Sequence, residues 1–340
     1  MNCKLKTISL SLTSLLILSF FSCQTNRDNR NIKPVKIIFD TDMGPDYDDA
    51  GAIAALHALA DSGDCEILAT VSSNSHPSIA PTIETFNRYF QRPDIPIGVT
   101  RKRSISINQK NNWNDSIIIK FAPEIKDSKN YPSATETYRK VLSSQPDQSV
   151  TIVTVGFTTN LENLLKSNAD EFSSLPGTEL VKKKVKNWVA MAGRFPEGRE
   201  FNVYRDAEAS YFVFNHWPTR ILFSGWEIGN SILTGSKLAK MSSPDNPVVW
   251  AYQYNLNTYA NKPVENRMSW DQTAVLCAIR DPERYFYVCG PGKFTVTKDG
   301  FNEWDPDING NHYFLVHKYP YKKIADIIEK LMMHQPKRNY

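Results

Sequence analysis

Cysteine and histidine are scarce in this sequence and its net charge is small, and each shortage closes off a class of function. Of 340 residues, five are cysteine and six are histidine. Cys3, Cys23, Cys65, Cys277 and Cys289 form no CxxC pair and no zinc-ligand spacing. A disulfide framework is not needed by a chain this long, and Cys65 and Cys277 sit in apolar stretches as buried free thiols. No Ser-His-Asp or Cys-His set with a nucleophile elbow appears. The formal net charge is only +4, and part of that comes from Lys4 and Lys6 in the first few residues. A nearly neutral chain offers no concentrated basic face for duplex phosphates, so nucleic acid is not expected as a partner. The densest basic run, Lys182-Lys183-Lys184-Val185-Lys186, reads as a solvated loop before a strand. No internal repeat is visible.

What is present begins with a targeting signal. Lys4 and Lys6 precede an apolar run from Leu10 to Phe21 that is short for a membrane-spanning helix and ends at Ser22-Cys23. This is similar to a bacterial lipoprotein leader, cleaved before a cysteine that becomes lipidated. It divides the chain into a signal peptide (1–22), a polar linker (23–34) and one domain (35–340). The expected location is exported and lipid-anchored through Cys23 on the periplasmic side of a bacterial membrane, since several acyl chains anchor stably where one does not.

With 41% hydrophobic and 22% charged residues, the remainder buries a sizeable core. Strand-like runs at Val35–Phe39, Glu66–Ser72, Pro96–Val99, Ser149–Val155, Trp188–Met191 and Arg220–Phe223 alternate with helix-like segments at Ala50–Ala60, Ser78–Phe90, Ser133–Leu142, Asn160–Lys166 and Ala207–Phe214. The stretch to about Ile279 reads as mostly helical. Short strands follow at Tyr285–Val288 and Lys293–Thr297, and a closing helix at Ile324–Met333. Arg101 to Pro132 reads as a polar, irregular excursion. The alternation predicts an α/β fold: an open, mostly parallel sheet with helices on both faces, Rossmann-related.

The chemistry concentrates directly after the first strand. Asp40, Asp42, Asp46, Asp48 and Asp49 crowd one turn. Five carboxylates this close repel one another unless a cation or bound hydroxyls compensate. Oxygen-only ligands suit a hard ion, Ca²⁺ or Mg²⁺, and flexible multidentate carboxylates favour Ca²⁺. An acidic turn capping the next helix is the plainer reading of the same run. The EF-hand pattern fails, because Gly44 is misplaced and no glutamate closes the loop. An aspartate-nucleophile phosphatase is disfavoured by Gly44 as well.

Asp40-Thr41-Asp42-Met43-Gly44, followed by Asp48-Asp49-Ala50, resembles the signature of the inosine–uridine-type nucleoside hydrolases, here with two extra residues. Four further segments resemble that family in the same order: Thr70-Val71-Ser72-Ser73-Asn74, Thr154-Val155-Gly156-Phe157-Thr158-Thr159-Asn160-Leu161, Glu200-Phe201-Asn202 with Asp206-Ala207-Glu208-Ala209, and Trp270-Asp271-Gln272-Thr273-Ala274-Val275. The resemblance spans roughly Val35 to the C-terminus. It implies calcium-dependent hydrolysis of a ribonucleoside or related riboside to free base and ribose, a role in nucleoside catabolism. Asp42 would bind Ca²⁺ and act as general base on a water; Asp49, as a bidentate ligand, the Val155 carbonyl and Asp271 would complete the protein ligands. Asp48, Glu200, Asn202 and Asp271 would hold the ribose hydroxyls, and Asn74 would line the site.

Two departures bear on the leaving base. Trp270 stands where several members carry a histidine, and it can stack on a base but not titrate. The stretch Ala192–Arg199 is shorter than the family's usual loop, with Arg194 and Arg199 as candidates to fill the space. His76 is a candidate to face the pocket, whereas His57 reads as a packed core histidine. Trp250, Tyr252, Tyr254 and Tyr259 read as covering or core aromatics, with a base-stacking lid as the alternative. Beside the hydrolase, a non-catalytic lipoprotein of the same fold that captures a nucleoside or sugar stays open, as does a homo-oligomer.

Overall fold

Successive residues of the first strand face opposite cores: Ile37 and Phe39 join one buried cluster, Ile38 the other. The same alternation recurs in the Val185–Met191 strand, where Val189 and Met191 separate from Trp188 and Ala190. A strand buried on both faces belongs inside a parallel sheet covered on both sides. The computed structural model, which describes residues 33–101, 103–125, 128–259 and 263–336, has that architecture. The leader (1–22), Cys23 and nearly all of the linker (23–34) lie outside the described residues.

In chain order the strands are β1 (Val35–Thr41), β2 (Cys65–Ser72), β3 (Ile97–Val99), β4 (Val150–Thr154), β5 (Val185–Met191), β6 (Glu197–Gly198), β7 (Arg220–Ser224), β8 (Leu233–Thr234), β9 (Arg267–Met268), β10 (Phe286–Val296), β11 (Asn302–Pro306) and β12 (His312–His317). The main sheet has the order β3-β2-β1-β4-β5-β7-β12-β10-β11-β6, while β8 and β9 form a separate two-stranded sheet. Pairing is parallel from β3 to β12 and antiparallel from β12 to β6. The helices Asp48–Asp61, Ile79–Tyr89, Pro247–Thr258, Trp270–Ile279 and Tyr321–Met332 contribute to one core; Ala134–Ser143, Thr159–Leu165, Gly177–Lys184 and Ala207–His216 contribute to the other. Asp48 through Leu59 is buried without a break, as expected of an Ala- and Leu-rich helix enclosed on all sides. Among the described residues no helix is long and apolar enough to cross a membrane.

The predicted α/β class and the strand–helix alternation are what the structure shows, with several local corrections. The 101–132 excursion contains a helix, Trp113–Phe121, whose Trp113 and Ile117 are buried. Lys182, Lys183 and Lys184 are not a loop but the last turn of Gly177–Lys184, where cations oppose the helix's negative end; Lys186 lies within β5. The two short strands expected at 285–297 are one strand, β10, with a register shift between Cys289 and Gly292. Strands β11 and β12, and the antiparallel pair β8 and β9, carry no strong period of their own and are held by their partners.

The order places β2 on one side of β1 and β4 on the other. The connections leaving β1 and β4 therefore diverge, and a crevice opens at the carboxyl ends of these two strands. A later crossing closes its far side. Gly229, in the helix Trp226–Ser231, lies against the backbone of Trp270, and a Cβ there would stand 2.2 Å from the Trp270 Cα. The Gly229 carbonyl accepts from the Ser269 N–H at 3.1 Å. Gly229→Ala is therefore expected to force the two helices apart and cost about 1–3 kcal/mol, as overpacking does. Urea denaturation would show this as a lower midpoint at unchanged slope, and an unchanged midpoint would mean that the crossing yields freely.

Candidate active site

The crevice holds a cavity of ≈ 240 Å³ lined by Asp42, Pro45, Asp46, Asp48, Asp49, Val155, Met191, Glu200, Phe201, Asn202, Trp226, Tyr259, Arg267, Trp270 and Asp271. Three stretches of chain meet here for topological reasons. The acidic loop leaves β1, Val155 leaves β4, and Asp271 opens a helix more than two hundred residues later. Gly156 lets the first two touch: a Cβ there would lie 2.6 Å from the Asp42 amide nitrogen.

Asp48 and Asp49 occupy the first turn of Asp48–Asp61, and Asp271 the first turn of Trp270–Ile279. Both helices thus aim their positive ends at the same acids. Asp48 Oδ2 accepts from the Asp271 N–H at 3.2 Å, which ties the two helix starts together. One carboxylate oxygen from each of Asp48, Asp49 and Asp271 lies within 4.8 Å of the others, a spacing suited to one cation. Asp42 faces the same cavity from outside that triplet. Asp49 Oδ1 accepts from the Thr41 hydroxyl and from the Met43 N–H, so its Oδ2 is the oxygen left for a ligand.

These acids are almost fully buried: Asp42, Asp48, Asp49 and Asp271 are between 1% and 4% exposed. Burial, reinforced by the neighbouring carboxylates, pushes Asp42, Asp48 and Asp271 well above the usual carboxylate range. Burial likewise raises Asp49 to about 7 and Glu200 to about 7. A divalent ion at the triplet would reverse this and hold the carboxylates ionised. The donor set fits a hard cation: it contains only oxygen, and no histidine or cysteine lines the cavity among the described residues.

Glu200 caps the short helix Phe201–Arg205. Its Oε1 accepts from Asn202 N at 2.9 Å, and its Oε2 accepts from Val203 N at 3.2 Å and Gly193 N at 3.3 Å. Asn202 Nδ2 donates toward the carbonyls of Met191 (3.3 Å) and Val155 (3.5 Å). These bonds hold Glu200 and Asn202 at the cavity wall opposite the acidic loop.

Of the residues expected at the site, Asp42, Asp48, Asp49, Val155, Glu200, Asn202, Trp270 and Asp271 all meet at this cavity. Asn74 does not line it. The Asn74 side chain donates to the Asp42 carbonyl at 3.0 Å and the Ile107 carbonyl at 2.6 Å, and it accepts from the amides of His76 and Ile107 at 3.1 Å each. Every polar atom of Asn74 is thus spent on fastening the acidic loop to the 101–132 excursion. Asp40 also points elsewhere, accepting from Tyr138 Oη at 2.8 Å and from Asn160 Nδ2.

His76 bonds Ser78 outside the cavity, and His57 packs on Phe90 with its pKa depressed by burial to about 3. Arg199 turns outward to Asp299. Arg194 does not line the cavity; its guanidinium stacks 3.7 Å above the Trp226 ring. Of the four late aromatics only Tyr259 reaches the cavity. Tyr252 is buried with its hydroxyl against Gln272, and Trp250 stacks on Tyr254.

Trp226 and Arg267 are among the lining residues that the sequence does not single out. Trp226 accepts the Trp270 indole N–H at its carbonyl, 2.9 Å away, and their rings lie 6.4 Å apart. Arg267 donates from Nε to Asp46 Oδ1 at 3.0 Å and from Nη2 to Asp46 Oδ2. The signal for Arg267 was indirect. The extra residues in the acidic run bring in Asp46, an additional half-buried anion among other acids that calls for a cationic partner.

The sequence model of the inosine-uridine preferring nucleoside hydrolases matches residues 37–311. No protein of curated function matches the chain by sequence. Among solved structures, a plant nucleoside hydrolase superposes with a TM-score of 0.65 at 20% identity, covering 88% of this chain and 99% of that one. A purine-preferring ribonucleoside hydrolase from Gardnerella vaginalis gives 0.64 at 16% identity, with 87% and 98% covered. The inosine-uridine preferring nucleoside hydrolase from Bacillus anthracis gives 0.65 at 15% identity, with 88% and 99% covered. Identities this low establish a shared fold; the match along 37–311 goes further, and the chain belongs to the inosine-uridine preferring nucleoside hydrolase family, a family of metal-dependent N-glycosyl hydrolases.

Proposed function

We propose that this protein is a calcium-dependent ribonucleoside hydrolase, anchored by a lipid on Cys23 to the periplasmic side of a bacterial membrane. The observation that carries the enzymatic reading is the convergence of Asp42, Asp48, Asp49, Asp271, Glu200 and Asn202 on one cavity with an aromatic wall. The chain is then a leader (1–22), a tether (23–34) and one hydrolase domain (35–340).

Cleaving an N-glycosidic bond builds positive charge on the ribose, which the buried anions beneath the sugar stabilise. Asp49 and Asp271, two acids of the triplet, together with Asp42 and the Val155 carbonyl beside it would be the protein ligands for Ca²⁺, and Asp48, the third acid, is left to the sugar. Calcium, when bound, holds the ribose diol and makes a water more acidic. Asp42 takes the proton of the attacking water. Asp48, Glu200, Asn202 and Asp271 accept from or donate to the ribose hydroxyls and fix the sugar's orientation. Trp270 and Trp226 offer faces against which a flat base packs.

The direct test is a panel of ribonucleosides incubated with purified protein, reading free ribose. Ribose release is expected from at least one nucleoside, abolished by chelator and restored by Ca²⁺. Calcium at a hundred times its Kd should also add about 2.7 kcal/mol of stability. Tight nucleoside binding without release would make the protein a capture lipoprotein instead.

Within the acidic run, Asp42→Asn is expected to lower kcat by about 10²–10⁴-fold, the usual contribution of a general base. Asp46→Asn, whose residue neither reaches the triplet nor holds the water, is expected to cost severalfold. Comparable losses in the two variants would mean that the acidic run has been divided wrongly between metal, base and wall.

For the anchor, Cys23→Ser expressed with its leader should move the protein from the membrane fraction to the released fraction. Continued membrane association of that variant would point to an uncleaved apolar segment rather than a lipid.

A further inference from the structure

The wall of the cavity contains a cation that the sugar-binding chemistry does not use. Arg267, in β9, lines the cavity three residues before Trp270. Its guanidinium carbon sits 4.6 Å from the Tyr259 ring centre and 5.3 Å from that of Trp270. Its Nε and Nη2 are both directed to Asp46, which fixes the plane of the fork. Nη1 is directed elsewhere; its contact among the described residues is the Met268 sulfur at 3.9 Å. A guanidinium nitrogen of this kind keeps hydrogen-bonding capacity for a ligand.

The placement matters because of where electrons go. Ribose hydroxyls are matched by the carboxylates and Asn202, which leaves the aromatic faces and Arg267 for the base. When the N-glycosidic bond breaks, its electron pair passes to the base nitrogen, and negative charge spreads over the ring and its exocyclic acceptors. No histidine lines the cavity among the described residues to supply a proton to that ring.

We propose that Arg267, held by Asp46, is the residue that stabilises the departing base as an anion by donating a hydrogen bond from Nη1. This rests on the hydrolase reading above. In the balanced step, the bond from C1′ to the base nitrogen breaks and a bond from water oxygen to C1′ forms. The water proton goes to Asp42 and then to solvent, and the base anion takes its proton from solvent after release. Asp46 has a definite part as a positioning residue. A lone cation in the cavity would oppose the positive charge growing on ribose. Paired with Asp46, the guanidinium is close to neutral at the distance of the sugar, yet its N–H still acts at hydrogen-bond range on the base. The fork is also preorganised, so little reorganisation is needed as charge develops.

The experiment compares substrates whose leaving groups differ in need. The calcium-loaded full chain and its variants are assayed with inosine, uridine and 4-nitrophenyl β-D-ribofuranoside, whose nitrophenolate leaves without assistance. Arg267→Met is expected to lower kcat on the two nucleosides by about 10²-fold, the loss typical of one donor to a developing anion. The loss on the nitrophenyl riboside should be small by comparison, which also reports an intact sugar site. Arg267→Lys should recover part of the nucleoside activity. Asp46→Asn should lower all three substrates severalfold, because the charge on ribose is common to them, and the two nucleosides somewhat further, because the Arg267 fork loses the partner that holds it. If Arg267→Met folds poorly, the Asp46→Asn/Arg267→Met double variant buries no lone charge and supports the same comparison. Equal losses on all substrates, or no loss on the nucleosides, would overturn the assignment while leaving the hydrolase reading intact. Wild-type protein that releases ribose from none of the three substrates with Ca²⁺ present would overturn both.

Discussion

Burying four carboxylates against one another is the constraint around which this molecule is organised. Moving one ionised carboxylate out of water costs several kcal/mol even after relaxation. A helix N-terminus returns about 0.3–1 kcal/mol per charge, and up to about 2 in favourable buried geometry. The two helix starts that meet here, at Asp48 and Asp271, therefore soften the repulsion without cancelling it. Hydrogen bonds to Asp49 from Thr41 and Met43 act in the same direction and are still too few. What remains is a cavity whose acids are biased toward protonation, which the divalent cation and sugar hydroxyls of the proposed function would relieve. Affinity for the metal and affinity for a cationic transition state have one origin, which is anionic charge held where water cannot spread it.

Holding the acids in place falls to residues that never touch the cavity. Asn74 fastens the Asp42 carbonyl to Ile107, and Asn114 Nδ2 donates to the Met43 carbonyl at 2.7 Å. Both bonds tie the acidic loop to the 101–132 excursion, which gives that irregular stretch a structural purpose. Behind the loop, Asp40 is pinned by Tyr138 and Asn160, and Asn160 also donates to the Ser72 carbonyl at 3.0 Å. The end of β1 is thereby fixed to β2 and to two helices of the opposite layer. Such second contacts keep repelling groups within the narrow geometry that a metal and a water require.

This division explains what could be read from the sequence. The acidic run, the β4 exit at Val155-Gly156, the Glu200-Phe201-Asn202 element and the Trp270-Asp271 helix start are local patterns, each set by residues adjacent in the chain. Chain topology then brings them together without further information. Asn74 was misplaced because a residue at a strand exit can turn its amide toward the pocket or toward a neighbouring segment. That choice depends on Ile107, which belongs to a stretch with no regular period. Arg267 and Trp226 were passed over for a related reason. Nothing near Trp226 announces a cavity; Arg267 stands three residues before Trp270 but has no pattern of its own, and the partners of the two, Asp46 and Trp270, lie 221 and 44 residues away. The strands β11 and β12 were missed because pairing with β10 makes them strands, and the sequence around Asp305, Asp307 and Asn309 looks like turn.

The extra residues in the acidic run add an anion whose charge is balanced within the same wall. Adding an anion to a cavity already crowded with anions would raise every neighbouring carboxylate further. Asp46 is paired with Arg267 on β9, so the net charge of the cavity is nearly unchanged by it. The sugar floor, built on the ends of β1 and β4 and on two helix starts, is constrained by all the contacts described above. The base wall, carried by the acidic loop's insertion, Tyr259 and β9, is constrained mainly by one ion pair and a few ring contacts. Under the proposed function, mutational freedom therefore sits on the side assigned to the base, and rigidity on the side assigned to ribose.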